Sequence, residues 1–355
     1  MGSQHETVAA VLCAVVVLGG LSVSNSQLSP TFYDQTCPGV YGVVFGVVWR
    51  ASLSDPRIGA SLIRLHFHDC FVQGCDASLL LNSTADGTIV SEQGSLANNN
   101  SIRGLDVVNQ IKAAVEFHCP ATVSCADILA IAAQVSVLLD GGPFWRVLLG
   151  RRDSTTANIT LADENLPPPF FTLDQLKQAF AVQGLNTTDL VSLSGAHTFG
   201  RAQCSTFIGR LYNFNNTGVP DTTLNTTLLQ SLQVLCPQNG DGSVITNLDL
   251  STPDLFDNRY YTNLLSLNGL LQSDQELYST PDADTREIVE LFSRDQAAFF
   301  ANFTASMIKM GNISPLTGSQ GQIRLQCNFV NVATSASGSA DISYKKLEDV
   351  LISSI

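Results

Sequence analysis

Basic residues are scarce in this chain of 355 residues. Lys and Arg number 18 against 31 Asp and Glu, which gives a net charge of −13 at pH 7 and an isoelectric point near 4.6. Such a surface repels phosphate backbones and anionic lipid headgroups, which argues against binding to nucleic acids or membrane surfaces. Hydrophobic residues make up 45% of the chain and charged residues 14%, a balance that predicts a globular protein with a substantial core.

The chain also lacks a long apolar run of the kind that favours a transmembrane helix. A short apolar run occupies residues 8–21, and no Lys or Arg precedes it. Small residues follow at Ser24 and Ser26. We therefore interpret residues 1–26 as a secretory signal peptide that is cut before Gln27, a residue expected to cyclise to pyroglutamate; a membrane anchor is the alternative.

Nine cysteines and eight Asn-x-Ser/Thr sequons agree with export of the protein. Loss of the signal peptide would remove Cys13 and leave eight cysteines, an even number that predicts a fully oxidised set. Eight cysteines allow many pairings, and their count does not choose among them. The sequons, which predict a glycoprotein, are Asn82, Asn99, Asn158, Asn186, Asn215, Asn225, Asn302 and Asn312.

Helical periodicity dominates the rest of the sequence, in which alternating runs are rare and no internal repeat is visible. One apolar stripe runs through residues 128–139 and another through residues 299–310, where Gly311 follows as a candidate C′ residue. About ten such segments predict a mainly α fold. We expect one domain at residues 27–330 and a C-terminal extension at residues 331–355, where the composition turns to Ser, Ala and Gly.

Histidines number only five, and two of them lie in the segment "RLHFHDCF". On a helix, Arg64 and His68 are four residues apart and share a face, whereas His66 lies about 200° away from His68. The two histidines therefore cannot bind one metal ion, which argues against a zinc-dependent hydrolase. A guanidinium beside a general base remains, and we assign His66 a structural role.

A second histidine motif is "LSGAHTFGRAQC", which places His197 among small residues that let a large group approach closely. A solitary histidine that binds a metal ion needs an oriented partner on its other nitrogen, usually a carboxylate. One metal ion with one protein ligand suits haem, because the porphyrin supplies the other in-plane ligands. A structural histidine, satisfied by hydrogen bonds, is the alternative.

Together the two motifs resemble those of the secreted plant haem peroxidases of class III. The resemblance covers nearly the whole chain after residue 26, through "QLSPTFYDQTCP", "GCDASLLL", "TVSCADILAIAA", "GGPFWRVLLGRRD", "FDNRYYTNLL" and "PLTGSQGQIRLQC". It implies a mainly α fold of two helical halves that enclose one haem b, with two Ca²⁺ ions. It also implies a monomeric peroxidase that reduces hydrogen peroxide to water and oxidises small phenolic donors by one-electron steps.

The resemblance assigns the residues that act on peroxide. His68 would take a proton from hydrogen peroxide, and Arg64 would polarise the O–O bond and stabilise the developing negative charge. Asn98, in "LANNNS", would orient the other nitrogen of His68 and would itself be linked onward to Glu92.

The iron ligand and the donor edge are implied in the same way. His197 would bind the haem iron, and Asp274, in "LLQSDQEL", would be its carboxylate partner. Pro167 corresponds to a proline at the edge where donors bind. Some relatives have aromatic residues near this edge, where this chain has Leu96 and Thr206, so its affinity for aromatic donors is left open.

Two calcium sites are implied, for which ordinary caps and turns are the alternative explanation. The first combines side-chain and carbonyl oxygens of Asp69, Val72, Gly74, Asp76 and Ser78, with Glu92. The second combines Thr198, Asp249, Thr252, Leu255 and Asp257.

The resemblance also implies how the cysteines pair. The expected disulfides are Cys37–Cys119, Cys70–Cys75, Cys125–Cys327 and Cys204–Cys236. Cys70–Cys75 would close a very small loop, so its effect would be on local geometry more than on chain entropy.

The expected location is the apoplast or the vacuole. The tail at residues 331–355 resembles extensions that direct some of these enzymes to the vacuole, and a simply secreted, disordered tail is the alternative. The alternative function is that of a catalytically silent haem-binding redox sensor or structural glycoprotein. Such a protein would retain His197 and lose the residues that act on peroxide, whereas Arg64, His68 and Asn98 are all present.

Overall fold

A computed structural model describes residues 28–332 of the chain. The proposed signal peptide, and the proposed extension beyond residue 332, lie outside the described residues. Within 28–332, thirteen α-helices and five short 3-10 turns accompany one two-stranded sheet, which confirms the prediction of a mainly α fold.

The α-helices differ widely in length. In chain order they are α1 (Val40–Ser54), α2 (Ile58–Cys70), α3 (Leu105–His118), α4 (Cys125–Leu139), α5 (Ile159–Asn165), α6 (Leu173–Val182), α7 (Thr187–Ser194), α8 (Ile208–Tyr212), α9 (Thr226–Leu235), α10 (Arg259–Leu265), α11 (Gln272–Ser279), α12 (Thr285–Arg294) and α13 (Gln296–Met310). The sheet pairs β1 (Arg201–Gln203) with β2 (Ile245–Asn247) in antiparallel register, with Ala202 opposite Thr246.

The most deeply buried element is α4, in which every residue from Cys125 to Val137 is buried. Its N-terminus is capped by the Ser124 side chain, which accepts a hydrogen bond from the Asp127 amide at 3.1 Å. Helix α2 packs directly on α4, so the helix that carries Arg64 and His68 rests on the main core.

A buried ion pair connects this core to the end of α13. Arg151 Nη1 lies 2.8 Å from Asp127 Oδ1, and Arg151 Nε donates to the Gly311 carbonyl at 2.9 Å. Gly311 was expected at C′, where a left-handed backbone is usual, but it is the C-cap residue and its φ is −64°. A side chain at this position would place its Cβ 2.9 Å from Arg151 Nη2, so the close approach of Arg151 explains the glycine.

Four disulfides are present among the described residues: Cys37–Cys119, Cys70–Cys75, Cys125–Cys327 and Cys204–Cys236. They tie the start of α1 to the end of α3, and the start of α4 to the end of the described chain. The Cys204–Cys236 bridge lies in a small second core formed by α8, α9 and the segment before α11. Cys70–Cys75 closes the loop that follows α2.

We expect no free thiol in the denatured, unreduced protein that begins at Gln27, because all eight of its cysteines are paired. Titration with a chromogenic thiol reagent measures this directly. A full-length chain that keeps Cys13 serves as the control, since it should add one reactive thiol per molecule. Any free thiol in the shorter protein would contradict the four pairings.

Within residues 28–332, no helix combines the length and apolar character that crossing a membrane requires.

Candidate active site

Arg64 and His68 lie on one face of α2, as their spacing predicts. Arg64 Nε lies 3.3 Å from His68 Nε2, while Nη1 and Nη2 donate to the carbonyls of Ser101 and Ala97, each at 2.9 Å. These two carbonyls fix the guanidinium plane beside the imidazole. Burial lowers the pKa of Arg64 to about 10, so the group remains a cation at neutral pH.

The other nitrogen of His68 is held by Asn98. His68 Nδ1 lies 2.6 Å from Asn98 Oδ1, and Asn98 Nδ2 donates to the Glu92 carbonyl at 2.9 Å. Because the amide nitrogen faces a carbonyl, its oxygen must face His68 and accept the Nδ1 proton. The imidazole therefore presents the lone pair of Nε2 toward the side of Arg64.

The surroundings of His68 keep its ring neutral. Burial and the nearby charge of Arg64 lower the pKa of His68 well below its ordinary value, and the hydrogen bond with Asn98 opposes them only in part. A neutral imidazole whose Nε2 carries a lone pair is the form that can accept a proton.

The surroundings of His66 differ from those of His68, as the helix geometry predicts. It is buried, and it lines a small cavity together with Trp145, Arg151 and Gly311. Burial and the charge of Arg151 lower the pKa of His66 to about 3. The ring therefore stays neutral inside the core.

His197 belongs to a 3-10 turn, Gly195–Thr198, that follows α7. Its Nδ1 lies 2.7 Å from Asp274 Oδ1, at the first turn of α11. Burial alone would lower the pKa of His197, but the charge and the hydrogen bond of Asp274 more than offset this, and the net shift is upward. The charge of Arg64 also lowers this pKa, to a smaller extent.

Asp274 is itself fixed by two further donors. Tyr260 Oη donates to Asp274 Oδ1 at 3.0 Å, and the Leu271 amide donates to Oδ2 at 3.1 Å. The sequence did not indicate this role of Tyr260. The motif "FDNRYYTNLL" contains two adjacent tyrosines, and no pattern distinguishes one from the other.

The glycine two residues before His197 is explained by packing in the core. A Cβ at Gly195 would lie 2.3 Å from Tyr261 Oη and 2.5 Å from Phe299. Gly195 therefore allows α10 and α13 to pack closely, and the expectation that the small residues around His197 make room for a large group stays a prediction.

The surroundings of His197 suit an iron ligand. His197 uses Nδ1 for Asp274, no hydrogen bond within residues 28–332 uses its Nε2, and its side chain is 37% exposed despite lying in the interior of the fold. An imidazole with one nitrogen held by a carboxylate and the other free is the arrangement expected of an iron ligand. The residues present therefore fit the group.

A cluster of buried oxygens surrounds the loop after α2. Asp69 Oδ2 accepts from the Ala77 amide at 2.9 Å and Asp76 Oδ1 from the Ser78 amide at 3.0 Å. Asp69 Oδ1, Ser78 Oγ and Glu92 Oε2 are buried and have no hydrogen-bond partner. Burial and the charge of Asp76 raise the pKa of Asp69 well above its ordinary value, and burial raises that of Glu92 to about 7.

The backbone of this loop is shaped to the same site. Gly74 has φ +108°, and a Cβ there would lie 2.5 Å from the Ser314 carbonyl, so only glycine fits. The Val72 carbonyl accepts from Asn165 Nδ2 at 3.3 Å and has a second lone pair. A hard cation such as Ca²⁺ would bind the unpartnered oxygens and would stabilise the charged form of the carboxyl groups whose pKa is raised.

The second set of oxygens also comes together. Thr198 Oγ1 lies 3.4 Å from Asp249 Oδ2 and 3.2 Å from Asp257 Oδ1. The Thr252 amide donates to Asp249 Oδ1 at 3.1 Å, the Leu255 amide donates to the Thr252 carbonyl, and Thr252 Oγ1 is buried without a partner. Burial raises the pKa of Asp249.

Both oxygen sets depend on hydroxyl and carbonyl groups as well as carboxylates. Among the described residues, no three His, Cys, Asp or Glu side chains meet in a metal-binding arrangement. The donor chemistry therefore suits an oxygen-liganded cation and does not suit zinc.

Comparison with known proteins agrees with this geometry. A family model described as Peroxidase matches residues 44–295. Peroxidase 54 of Arabidopsis thaliana is 58% identical over 333 residues, which are 94% of this chain and 92% of that protein. The chain belongs to the class III plant peroxidases.

Further relatives extend the same result. Peroxidase 15 of Ipomoea batatas is 61% identical over 310 residues, which are 87% of this chain and 94% of that protein. Peroxidase 22 of Arabidopsis thaliana is 57% identical over 312 residues, or 87% and 88% of the two chains. The chain is thus a peroxidase of a haem-dependent family that uses hydrogen peroxide and reducing donors.

The residues that the resemblance implies at the donor edge are less enclosed than the two histidines. Pro167 is half-buried in the connector between α5 and α6, whereas Leu96 is 90% exposed and Thr206 donates its hydroxyl to the Gln203 carbonyl at 2.6 Å. Leu96 provides an exposed apolar side chain, and Thr206 provides no ring against which an aromatic donor could stack.

Proposed function

We propose that Arg64, His68 and Asn98 are the catalytic residues of this peroxidase and that His197 binds the iron of haem b, with Asp274 as its partner. The observation that carries the proposal is that each imidazole is held at Nδ1, by Asn98 in one case and by Asp274 in the other. Nε2 of each ring is thereby available for its own task, with only a long 3.3 Å hydrogen bond from Arg64 Nε at His68.

The protein residues control the proton and the developing charge. When bound, haem supplies the two electrons that cleave the O–O bond. His68 Nε2 accepts a proton from one peroxide oxygen and returns it to the other, which leaves as water. Arg64 stabilises the negative charge that develops on the departing oxygen, and its fixed position requires no reorganisation during the reaction.

The reducing substrates are small phenols that return one electron each at the edge near Pro167. The protein enters the secretory pathway, begins at Gln27 after cleavage, and functions as a monomer in the apoplast or the vacuole. Exposed sequons support this location, because glycans need solvent-facing asparagines; the exposed ones are Asn82, Asn99, Asn186, Asn215 and Asn312.

Absorption spectroscopy of the purified protein tests the proposal. We expect a Soret band that changes when hydrogen peroxide is added and recovers when a phenol follows. Absence of the band would overturn the haem assignment. A band that peroxide leaves unchanged would instead favour the silent haem-binding alternative.

The two oxygen sets each bind one Ca²⁺. The first lies beside the Glu92 carbonyl that positions Asn98, so calcium also supports the orientation of His68. The buried unpartnered oxygens of Asp69, Ser78, Glu92 and Thr252 support this assignment.

Chelation of calcium is expected to lower the melting temperature by roughly 5–15 °C. Ligand at 100 to 1,000 times its dissociation constant stabilises a fold by about 3–4 kcal/mol, and each kcal/mol shifts the melting temperature by about 2–4 °C at this size. Calorimetry with and without a chelator measures the shift. Asp69→Asn should reduce it, whereas Asp106→Asn on α3 should not; an unchanged melting temperature in the unsubstituted protein would contradict both sites.

A further inference from the structure

Helix α1 has an exposed apolar face. Its inner side is buried in the core and is formed by Val40, Val44 and Val48. On the other side, Phe45, Trp49 and Leu53 follow one another at intervals of four residues and are 37%, 48% and 69% exposed. Single exposed apolar side chains are common, but three in a row along one helix form a contiguous patch, which is typical of an interaction site.

Two glycines lie on the same side of α1. Gly42 is three residues before Phe45, and Gly46 is three residues before Trp49. Apart from the backbone of the helix itself, no described atom lies within 4 Å of the position that a Cβ would take at either glycine. Glycine weakens a helix relative to alanine, and no described neighbour requires it here. The outer face of α1, which we define as these two glycines with Phe45, Trp49 and Leu53, therefore leaves room for a close approach from outside.

The outer face is also nearly free of charge. Arg50, which follows Trp49 and is exposed, is the only charged residue among the fifteen of α1. The whole chain has a net charge of −13, so a helix without any acidic residue differs from most of the surface. An occupant of this face needs apolar side chains, and an acidic group near Arg50 would be favourable.

The described chain ends close to the start of α1. Cys327 is bonded to Cys125 at the start of α4. Two residues further along α4, Asp127 Oδ2 accepts a hydrogen bond from Tyr33 Oη at 2.8 Å, and α1 begins seven residues after Tyr33. Residues 333–355, which lie outside the described residues, therefore continue from a point near the first turn of α1.

The sequence of residues 333–355 contains an apolar pattern of matching length. Helical spacings of three and four residues relate the members of this tail ridge, which are Tyr344, Leu347, Leu351 and Ile355. On a helix, the tail ridge and the outer face of α1 would each extend over about 17 Å. The residues between 332 and 344 can span up to about 36 Å, which exceeds the length of α1, about 22 Å. Glu348 is next to the tail ridge and offers an acidic partner for Arg50.

We propose that residues 344–355 dock on the outer face of α1, with the tail ridge packed over Gly42 and Gly46 and with Glu348 near Arg50. The chain thereby covers its own exposed aromatic side chains. The inference goes beyond the proposed function, because α1 carries none of the residues assigned to peroxide, iron or calcium.

Limited trypsin digestion of the haem-loaded chain from Gln27 to Ile355 tests this docking. Lys345 and Lys346 are the only Lys or Arg residues after Arg324, so release of the last nine or ten residues reports cleavage within the tail. A synthetic peptide of residues 339–355 gives the rate without the fold. We expect release from the enzyme to be about tenfold slower than from the peptide, as measured by mass spectrometry.

Matched variants locate the contact. Trp49→Ser on the outer face should speed release about fivefold. Phe170→Ser, which replaces an aromatic side chain that is 64% exposed on the connector before α6, should leave the rate unchanged. In the tail, Leu351→Ser should speed release about fivefold, whereas Ile352→Ser should not, because adjacent residues of a helix point about 100° apart. Each tail variant is compared with a peptide of its own sequence, so that intrinsic differences in cleavage cancel.

Release from the unsubstituted enzyme at the rate of the peptide would overturn the proposal, and so would equal rates in Leu351→Ser and Ile352→Ser. The tail variants keep the proposal testable if Trp49→Ser fails to fold. Sedimentation velocity adds a further test. A dimer that Trp49→Ser dissociates would assign the outer face to a second copy of this chain and would overturn docking of the tail.

Discussion

Replacement of His68 with leucine is expected to slow the reaction of the haem-loaded enzyme with hydrogen peroxide by roughly 10²–10⁴-fold, the range that a positioned general base contributes. Leucine removes the Nε2 lone pair that receives the peroxide proton. It also removes the hydrogen bond between His68 Nδ1 and Asn98 Oδ1, which are 2.6 Å apart in the native structure. Haem binding should persist, because His197 and Asp274 are unchanged.

His66→Leu is the matched control, since the two histidines are two residues apart on the same buried helix. His66 adjoins Arg151 and Trp145 rather than Arg64. The rate with peroxide should change by no more than about threefold, although the protein should lose stability because a buried polar group is removed. Stopped-flow measurement of the second-order rate constant separates the variants. Equal losses in both would show that His68 is not the base.

The orientation of α2 could be predicted from local pattern alone. A spacing of four residues places Arg64 and His68 on one face at any point of a helix, and a spacing of two places His66 elsewhere. The structure confirms that Arg64 and His68 share a face, because Arg64 Nε and His68 Nε2 are 3.3 Å apart. The mainly α class follows in the same way from the long helices α4 and α13.

The partners of the histidines could not be predicted from local pattern. Asn98 is 30 residues from His68, and Asp274 is 77 residues from His197. No periodicity relates positions so far apart, so the expectation depended on resemblance to a family. Tyr260 had no assigned role in the sequence analysis. Its hydroxyl reaches Asp274 only because α10 packs against α11.

Short elements and close contacts were also beyond the reach of periodicity. Helix α8 has five residues, fewer than two turns, so no apolar stripe can repeat within it. It nevertheless carries Arg210, whose Nε donates to Asp221 Oδ2 at 2.8 Å. Gly311 is similar, since the sequence shows a glycine after a helix and cannot show that an arginine 160 residues earlier occupies the space above it.

Asp274→Asn is expected to lower the rate with hydrogen peroxide or the retention of haem by roughly 10–100-fold, the usual effect of losing the partner of a metal-binding histidine. Asp274 accepts three hydrogen bonds, from His197, Tyr260 and the Leu271 amide. An asparagine has one acceptor oxygen, and its amino group must then face a donor. The substitution therefore removes both the negative charge and the fixed orientation of His197.

Tyr260→Phe distinguishes these two consequences. It keeps the carboxylate and removes one of its three donors, so we expect a loss of only a few fold. The iron–histidine stretching frequency, measured by resonance Raman spectroscopy on the reduced holoenzyme, should fall clearly in Asp274→Asn and little in Tyr260→Phe. Equal losses of rate in the two variants, with equal frequencies, would mean that packing around α11 matters and that the charge of Asp274 does not. A graded response would assign the effect to the charge, because Tyr260→Phe keeps both the carboxylate and the aromatic ring that lies edge-on to His197.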